Sequence, residues 1–235
     1  MKRFYKLVST EKVTDGYHIL LDGRPVKTKA KAFLCAANAA IADRLMQEWV
    51  DQADDIVPDT MPFTQILNTQ IDRVSAERDV MSAAVLKYLD TDLLCYPTDM
   101  PQDLAKQQHE SWQPFLDGFF KTVFGYELQT TTALAAVKHP AEVHKVVADY
   151  VHGLDDARFT ILQLVTSISG SLILALAMVR GGASAASVLD ACFIEETFKD
   201  ALYDAEKYGS DPMLEKSKKS AMQDFCAAED YLALL

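Results

Sequence analysis

The chain has 235 residues, with 34 Asp or Glu against 23 Lys or Arg, a formal charge of -11 and a sequence pI near 4.8. Charged residues make up 24% and the AVILMFWYC set 49%, the balance of an ordinary globular protein and a poor match to a membrane protein. The acidic bulk repels phosphates, which sets nucleic-acid binding aside.

At the start, MKRFYKLVSTEK has basic residues but no apolar h-region after them, so no export signal is expected. Residues 1–31 carry eight Lys or Arg against three acids, net +5, leaving -16 for the rest. These charges alternate with apolar residues in hairpin fashion. Two Asp-Gly pairs, Asp15-Gly16 and Asp22-Gly23, each sit between β-prone runs, and an Asp-Gly pair supplies the positive φ of a tight hairpin turn. Three short antiparallel strands follow, with a fourth near 32–35. Ala37, Ile41, Leu45 and Trp49 then recur every four residues, the stripe of an amphipathic helix. Pro58 and Pro62 mark a loop leading into a short helix. SAERDVMSAAVLKYL is a helix with Ser75 as its N-cap, and 93–96, ended by Pro97, is placed as another strand. The expected fold is therefore α+β over 1–98, a small antiparallel sheet carrying helices.

Residues 99–235 read as an all-helical bundle. Helical patterns cover 102–124, 140–152, 157–180, 184–208 and 212–233, punctuated by Gly125, Pro140, Gly153, Gly181-Gly182, Gly209 and Pro212. The run 159–179 is uncharged and long enough, as one helix, to cross a bilayer. It is alone, its flanks lack a basic cluster, and five amphipathic helices around it need a partner. It is placed as the buried apolar central helix of the bundle, with Ser167, Ser171 and Ala175 as a small-residue stripe for close helix approach.

Chemistry is sparse. The cysteines Cys35, Cys95, Cys192 and Cys226 show neither C-x-x-C nor zinc spacing, and reduced thiols are expected. The five histidines make no H-E-x-x-H, and no phosphate-cradling glycine motif is present, so no metal and no cofactor are expected. The D-x-D of Asp90 and Asp92 is the sharpest catalytic candidate: one carboxylate could attack a phosphoryl group while Mg²⁺ is held, as in aspartyl-phosphate phosphatases. Asp211 and Glu215 would be further ligands. The competing reading makes Asp90 and Asp92 caps of a helix end and a turn. Without a recognisable active site, contact is favoured over catalysis, with Trp49, Trp112, Phe119, Phe120, Tyr203 and Tyr208 as aromatic candidates.

Several stretches together resemble one family: RFYK at 3–6, GYHILLDGRPVKT at 16–28, EW at 48–49, NTQIDRV at 68–74, YLDTDLLCYP at 88–97 and SLILALA at 171–177. In this order they are similar to the F-type ATP synthase assembly chaperones of mitochondria and alphaproteobacteria, which handle the alpha subunit of the soluble catalytic head. The resemblance implies a small α+β domain followed by a helical orthogonal bundle. It also implies a non-enzymatic chaperone that shields the unassembled alpha subunit until the beta subunit replaces it; the oligomeric state is left open, with a monomer expected. The place of action would be the bacterial cytoplasm, or the mitochondrial matrix for a processed eukaryotic form. Lys29 stands where proline tends to follow VKT, and Tyr208-Gly209 where the family has a tryptophan-glycine pair. In the family, an acidic helix before that pair is implicated in function; here its acids are Glu195 and Glu196, or Asp200 and Asp204, according to where a gap falls. Tyr208 and Trp49 complete the implied partner-binding set, Trp49 serving either core or contact.

Overall fold

A computed structural model describes residues 1–133, 135–202 and 211–235. It packs as two units, Met1–Arg78 with Asp230–Leu235, and Asp79–Glu229.

In the first unit, β1 (Val8–Val13), β2 (Gly16–Leu21), β3 (Arg24–Pro25) and β4 (Cys35–Ala36) form an antiparallel sheet in which β2 pairs with all three others. The two Asp-Gly pairs do different work. Asp22 and Gly23 both take positive φ, 48° and 77°, and turn the chain between the paired residues Leu21 and Arg24. In the first hairpin Val13 pairs with Gly16, so the turn residues are Thr14 and Asp15. Gly16 follows the turn at φ 145°, and it is needed for a second reason: a Cβ there would stand 2.1 Å from the Ala36 carbonyl oxygen.

Helix α1 (Ala39–Val50) packs on this sheet through Ile41, Ala42, Leu45 and Trp49. It starts two residues after Ala37, because the Asn38 side chain caps it, accepting from the Ile41 N–H at 2.9 Å. Trp49 is 9% exposed; its ring meets that of Tyr5 at 5.8 Å, and the Tyr5 hydroxyl donates to the Trp49 carbonyl at 2.6 Å. The neighbouring Glu48 caps α2 (Pro62–Thr69), accepting from the N–H groups of Phe63 and Thr64 at 2.7 and 2.8 Å and from the Thr64 hydroxyl at 2.7 Å. Pro62 has no N–H of its own, so these are the first orphan donors of the helix. From α2 the chain stays helical through a π-turn, Gln70–Val74, into α3 (Ser75–Leu86). Ser75 is therefore no N-cap: its φ and ψ are -61° and -25°, and its hydroxyl donates back to the Gln70 carbonyl at 3.1 Å.

The second unit holds α4 (Gln102–Gln113), extended through a π-stretch Pro114–Lys121 to Phe124, then α5 (Ala141–Gly153), α6 (Asp156–Ser169), α7 (Leu172–Val179), α8 (Ala185–Cys192) and α9 (Ile194–Leu202). The last helix, α10 (Pro212–Ala233), contributes its residues up to Glu229 to this unit. The expected helix over 157–180 is two helices. Gly170 takes φ 70° and closes α6, its N–H donating to Thr166; Ser171 then caps α7, accepting from the Leu174 N–H at 3.1 Å. The break falls inside the Ser167, Ser171, Ala175 series, so those residues do not form one helical face. The eight residues of α7 span only ~12 Å, and among the described residues no helix is long and apolar enough to cross a membrane. Leu172 to Ala177 are fully enclosed and Met178 is 2% exposed, which makes α7 the buried apolar helix of the bundle.

What starts α7 in place is Asp92. Its carboxylate is fully buried; Oδ1 accepts from the Leu94 N–H at 3.1 Å and the Ser171 hydroxyl at 2.7 Å, and Oδ2 from the Ile173 N–H at 3.0 Å. The Leu93 N–H donates to the Gly170 carbonyl at 3.2 Å. With its donors spent this way, the segment placed as a strand at 93–96 is instead a 3₁₀ turn, Leu93–Cys95, capped by Asp92. Residues 79–98 thus pack in the second unit, although their composition groups them with the sheet.

Two outcomes follow for stability. Trp49→Arg removes a buried aromatic and puts a charge in its place, so a loss of about 3–5 kcal/mol is expected, against a much smaller loss for Trp49→Phe; urea unfolding of both variants measures the contrast. For Asp92, burial pushes the carboxyl from 3.8 up to about 6, against hydrogen bonds that favour the carboxylate. The folded state therefore holds this proton more tightly than the unfolded chain. The stability linked to it is complete below about pH 4 and is lost as pH rises through about 6. Asp92→Asn has no such titration and turns an amide N–H toward donors, at a cost of about 1–3 kcal/mol at neutral pH. The melting-temperature gap between wild type and Asp92→Asn should narrow between about pH 5 and pH 7; a constant gap would contradict the assignment.

Candidate functional site

The D-x-D pair does not build a phosphotransfer centre. Both Asp92 oxygens are occupied by N–H and O–H donors inside the bundle, leaving no lone pair directed at a substrate and no path for one. Its role as a cap is the one anticipated by the competing reading. Asp90 points elsewhere, with Oδ1 3.0 Å from His144 Nε2. His139, 7% exposed, lies beside this pair, its ring 6.4 Å from that of His144. Burial lowers the His139 pKa, partly offset by the Asp90 charge and a hydrogen bond to the Leu89 carbonyl. His139 Nδ1 faces the Gln129 N–H at 3.4 Å, and Nε2 lies 3.9 Å from Cys95 Sγ. Burial holds the Cys95 thiol far above the range in which a thiolate forms. Beside the cluster two loop residues are fastened: Thr131 N–H donates to the Cys95 carbonyl at 2.9 Å, and Val137 N–H to the Tyr96 hydroxyl at 3.1 Å. Among the described residues no group of three or more His, Cys, Asp or Glu is placed to hold a metal ion.

Three acids of the expected partner-binding set, Glu195, Glu196 and Asp200, lie on α9. None of the residues of this helix is buried. Glu195 Oε1 accepts from Gln108 Nε2 at 3.0 Å, while Gln108, itself fully buried on α4, takes the Thr98 N–H on its other end at 2.7 Å. Lys199 sits 3.8 Å from the second Glu195 oxygen. Asp200 pairs with Lys218 of α10 at 3.3 Å, and the same ammonium reaches the Thr197 hydroxyl at 3.1 Å. Glu195 and Asp200 therefore tie α9 to α4 and α10. Glu196, one helical turn before Asp200, is half-buried near Cys192, whose thiol burial pushes up to about 12 with the Glu196 and Asp190 charges adding to the effect. Beside these acids an open groove of about 440 Å³ is lined by Gln107, Glu110, Ser111, Asp190, Ile194 and Thr197.

Asp204, Tyr208 and Tyr203 lie outside the described residues. Trp49 belongs to the core of the first unit, and Trp112, Phe119 and Phe120 are buried in the second. Gln108 went unnoticed in the sequence. Its signal was its register: it stands between Leu104 and Trp112 at spacing four, a polar side chain on the apolar stripe of α4, and such a residue needs a buried partner.

A family model described as ATP12 chaperone protein matches residues 2–120. Among solved structures, Atp12 from Paracoccus denitrificans is 31% identical over 99% of this chain and 97% of that chain, with a TM-score of 0.87. A point mutant of Atp12p from P. denitrificans gives the same figures. The Atu1473 protein from Agrobacterium tumefaciens is 30% identical over 99% of this chain and 85% of that chain, again with a TM-score of 0.87. With half of its length under the family model and nearly all of it under homologous structures, the chain belongs to the ATP12 chaperone family.

Proposed function

We propose that this assembly chaperone binds the unassembled alpha subunit of the F-type ATP synthase head and covers the surface that later meets the beta subunit, by contact alone and without turnover. The helical part, 99–235, carries the contact. The observation that supports this reading most is α9, an acidic helix with no buried residue, held at two points by side-chain bonds to its neighbours. Anchoring at Glu195 and Asp200 fixes the direction in which the rest of the helix, Glu196 included, faces a partner. A preorganised face loses less entropy on binding than a mobile one. Release by the beta subunit requires only that the final subunit contact be the stronger of the two.

Co-expression with free alpha subunit tests the proposal: the alpha subunit should stay soluble and co-purify, and added beta subunit should displace the chaperone. Glu196→Lys should weaken the complex about tenfold, the equivalent of ~1.4 kcal/mol, with an unchanged melting temperature. Absence of any complex with assembly-competent alpha subunit would sink the reading.

A further inference from the structure

The chain between β3 and β4 forms a tight, well-fastened hairpin over 27–33. Lys27 and Phe33 face each other as an antiparallel pair, Thr28 N–H donates to the Ala32 carbonyl at 2.9 Å, and Lys31 N–H donates to the Thr28 carbonyl at 3.0 Å. Asp72, in the π-turn Gln70–Val74, clamps the tip: it accepts from the Thr28 hydroxyl at 2.5 Å and the Ala30 N–H at 3.1 Å. The clamp consumes that carboxylate and leaves the lysines facing water. Lys27, Lys29 and Lys31 are all exposed, and among the described residues none of them has an ion-pair partner. Lys31 is held at φ 70°, a left-handed conformation that favours glycine over lysine.

An apolar element sits among these charges. Phe33 is 46% exposed, with the Lys27 ammonium 5.1 Å from its ring centre and the His18 ring at 5.1 Å. Cross-strand placement of a cation over an aromatic face keeps both groups fixed and presents them together. Glu11, paired with His18 across the β1–β2 ladder, is an acid on the same sheet.

We propose that this lysine hairpin with Phe33 and His18 is a docking surface for an acidic protein segment carrying an aromatic or aliphatic anchor, a reading independent of the one for α9. Charge complementarity selects the occupant. Three lysines on one rigid loop match two or three carboxylates, and Phe33 offers an apolar seat of the kind that anchors protein contacts. An anionic membrane fits less well, because lipid-binding clusters gather about four to eight basic residues. A polyanionic nucleic acid fits less well still, because its long phosphate track would meet the acid excess of a chain of charge -11.

The test uses the full chain and a fluorescent synthetic peptide of glutamates around a central phenylalanine, read by anisotropy. Expected is saturable binding that weakens as salt rises and falls about tenfold in both Phe33→Ser and the double variant Lys29→Glu with Lys31→Glu. Lys31→Gly serves as the folding control: glycine adopts the positive φ freely, so the melting temperature should hold while affinity drops several-fold. Equal affinity for a peptide with glutamine in place of glutamate, or undiminished binding by the lysine and phenylalanine variants, would overturn the proposal. So would tighter binding to phosphatidylserine vesicles or single-stranded RNA than to the peptide. Self-association of the wild type that those variants abolish would also overturn it, assigning the face to a second copy instead.

Discussion

A carboxylate with no contact with solvent fixes where the central helix begins. Asp92 is enclosed by apolar side chains, where an unpartnered charge would cost several kcal/mol. It is tolerated because its oxygens take the Leu94 and Ile173 N–H groups and the Ser171 hydroxyl, two of them at the first turn of α7. A helix start has N–H groups without partners inside the helix and a partial positive charge; here both are met by the same side chain. α7 is apolar on every side, so nothing in its own surface pattern fixes its rotation or its axial position. The polar contacts at its N-terminus do so. Apolar burial drives α7 into the bundle, and Asp92 specifies the register at which it stops.

The same device recurs in the first unit. Asp22 accepts from the N–H groups of Lys6 and Leu7, Glu48 from those of Phe63 and Thr64, and Asp72 from Ala30 together with the Thr28 hydroxyl. Each is a carboxylate binding the backbone of a segment distant in sequence, and each falls in a stretch by which the family is recognised. A backbone N–H is available at nearly any residue, so these contacts demand little of the recipient segment and much of the acid. LDGRPVKT and YLDTDLLCY each carry one such acid, Asp22 and Asp92. Two populations of acids share a chain of net charge -11: those whose oxygens are taken up by backbone N–H groups, exposed as Asp22 is or enclosed as Asp92 is, and those such as the half-buried Glu196 that cap no backbone.

Features decided by neighbours in sequence were legible, and features decided by distant partners were not. Alternation and the Asp22-Gly23 turn gave the strands; the Ile41, Leu45, Trp49 stripe gave α1 and its buried face. Gly16 was legible as the positive-φ residue that closes the first hairpin, but not for its close approach to the Ala36 carbonyl across the sheet. The 159–179 run was read as one helix because its hydropathy is continuous, whereas the break depends on Gly170 and Ser171 meeting Asp92 and Leu93. The same contacts took 93–96 out of the sheet. The π-segments at 70–74 and 114–121 add a residue to a turn without a compositional mark, so periodicity alone passes over them. Of the candidate site, the placement of Glu195, Glu196 and Asp200 on one helix was legible, while their anchoring by Gln108 and Lys218 was not.

This division bears on how the chaperone would bind and release a subunit. On the proposed reading the partner is later displaced, which calls for a contact of limited strength that is still selective. Fixed charges on a rigid face suit that requirement, because electrostatic complementarity contributes to encounter rate and partner choice more than to final affinity. In α9 the rigidity comes from Glu195, held by the fully buried Gln108, and from Asp200, held by Lys218. These two acids are part of the clamp system and reduce their own availability to a partner by serving it. Charge reversal at either would therefore tilt the helix as well as change its field, and a loss of binding there would confound two causes. Glu196 is the position at which charge and scaffold can be separated, which is why the function of the helix is best decided at that residue.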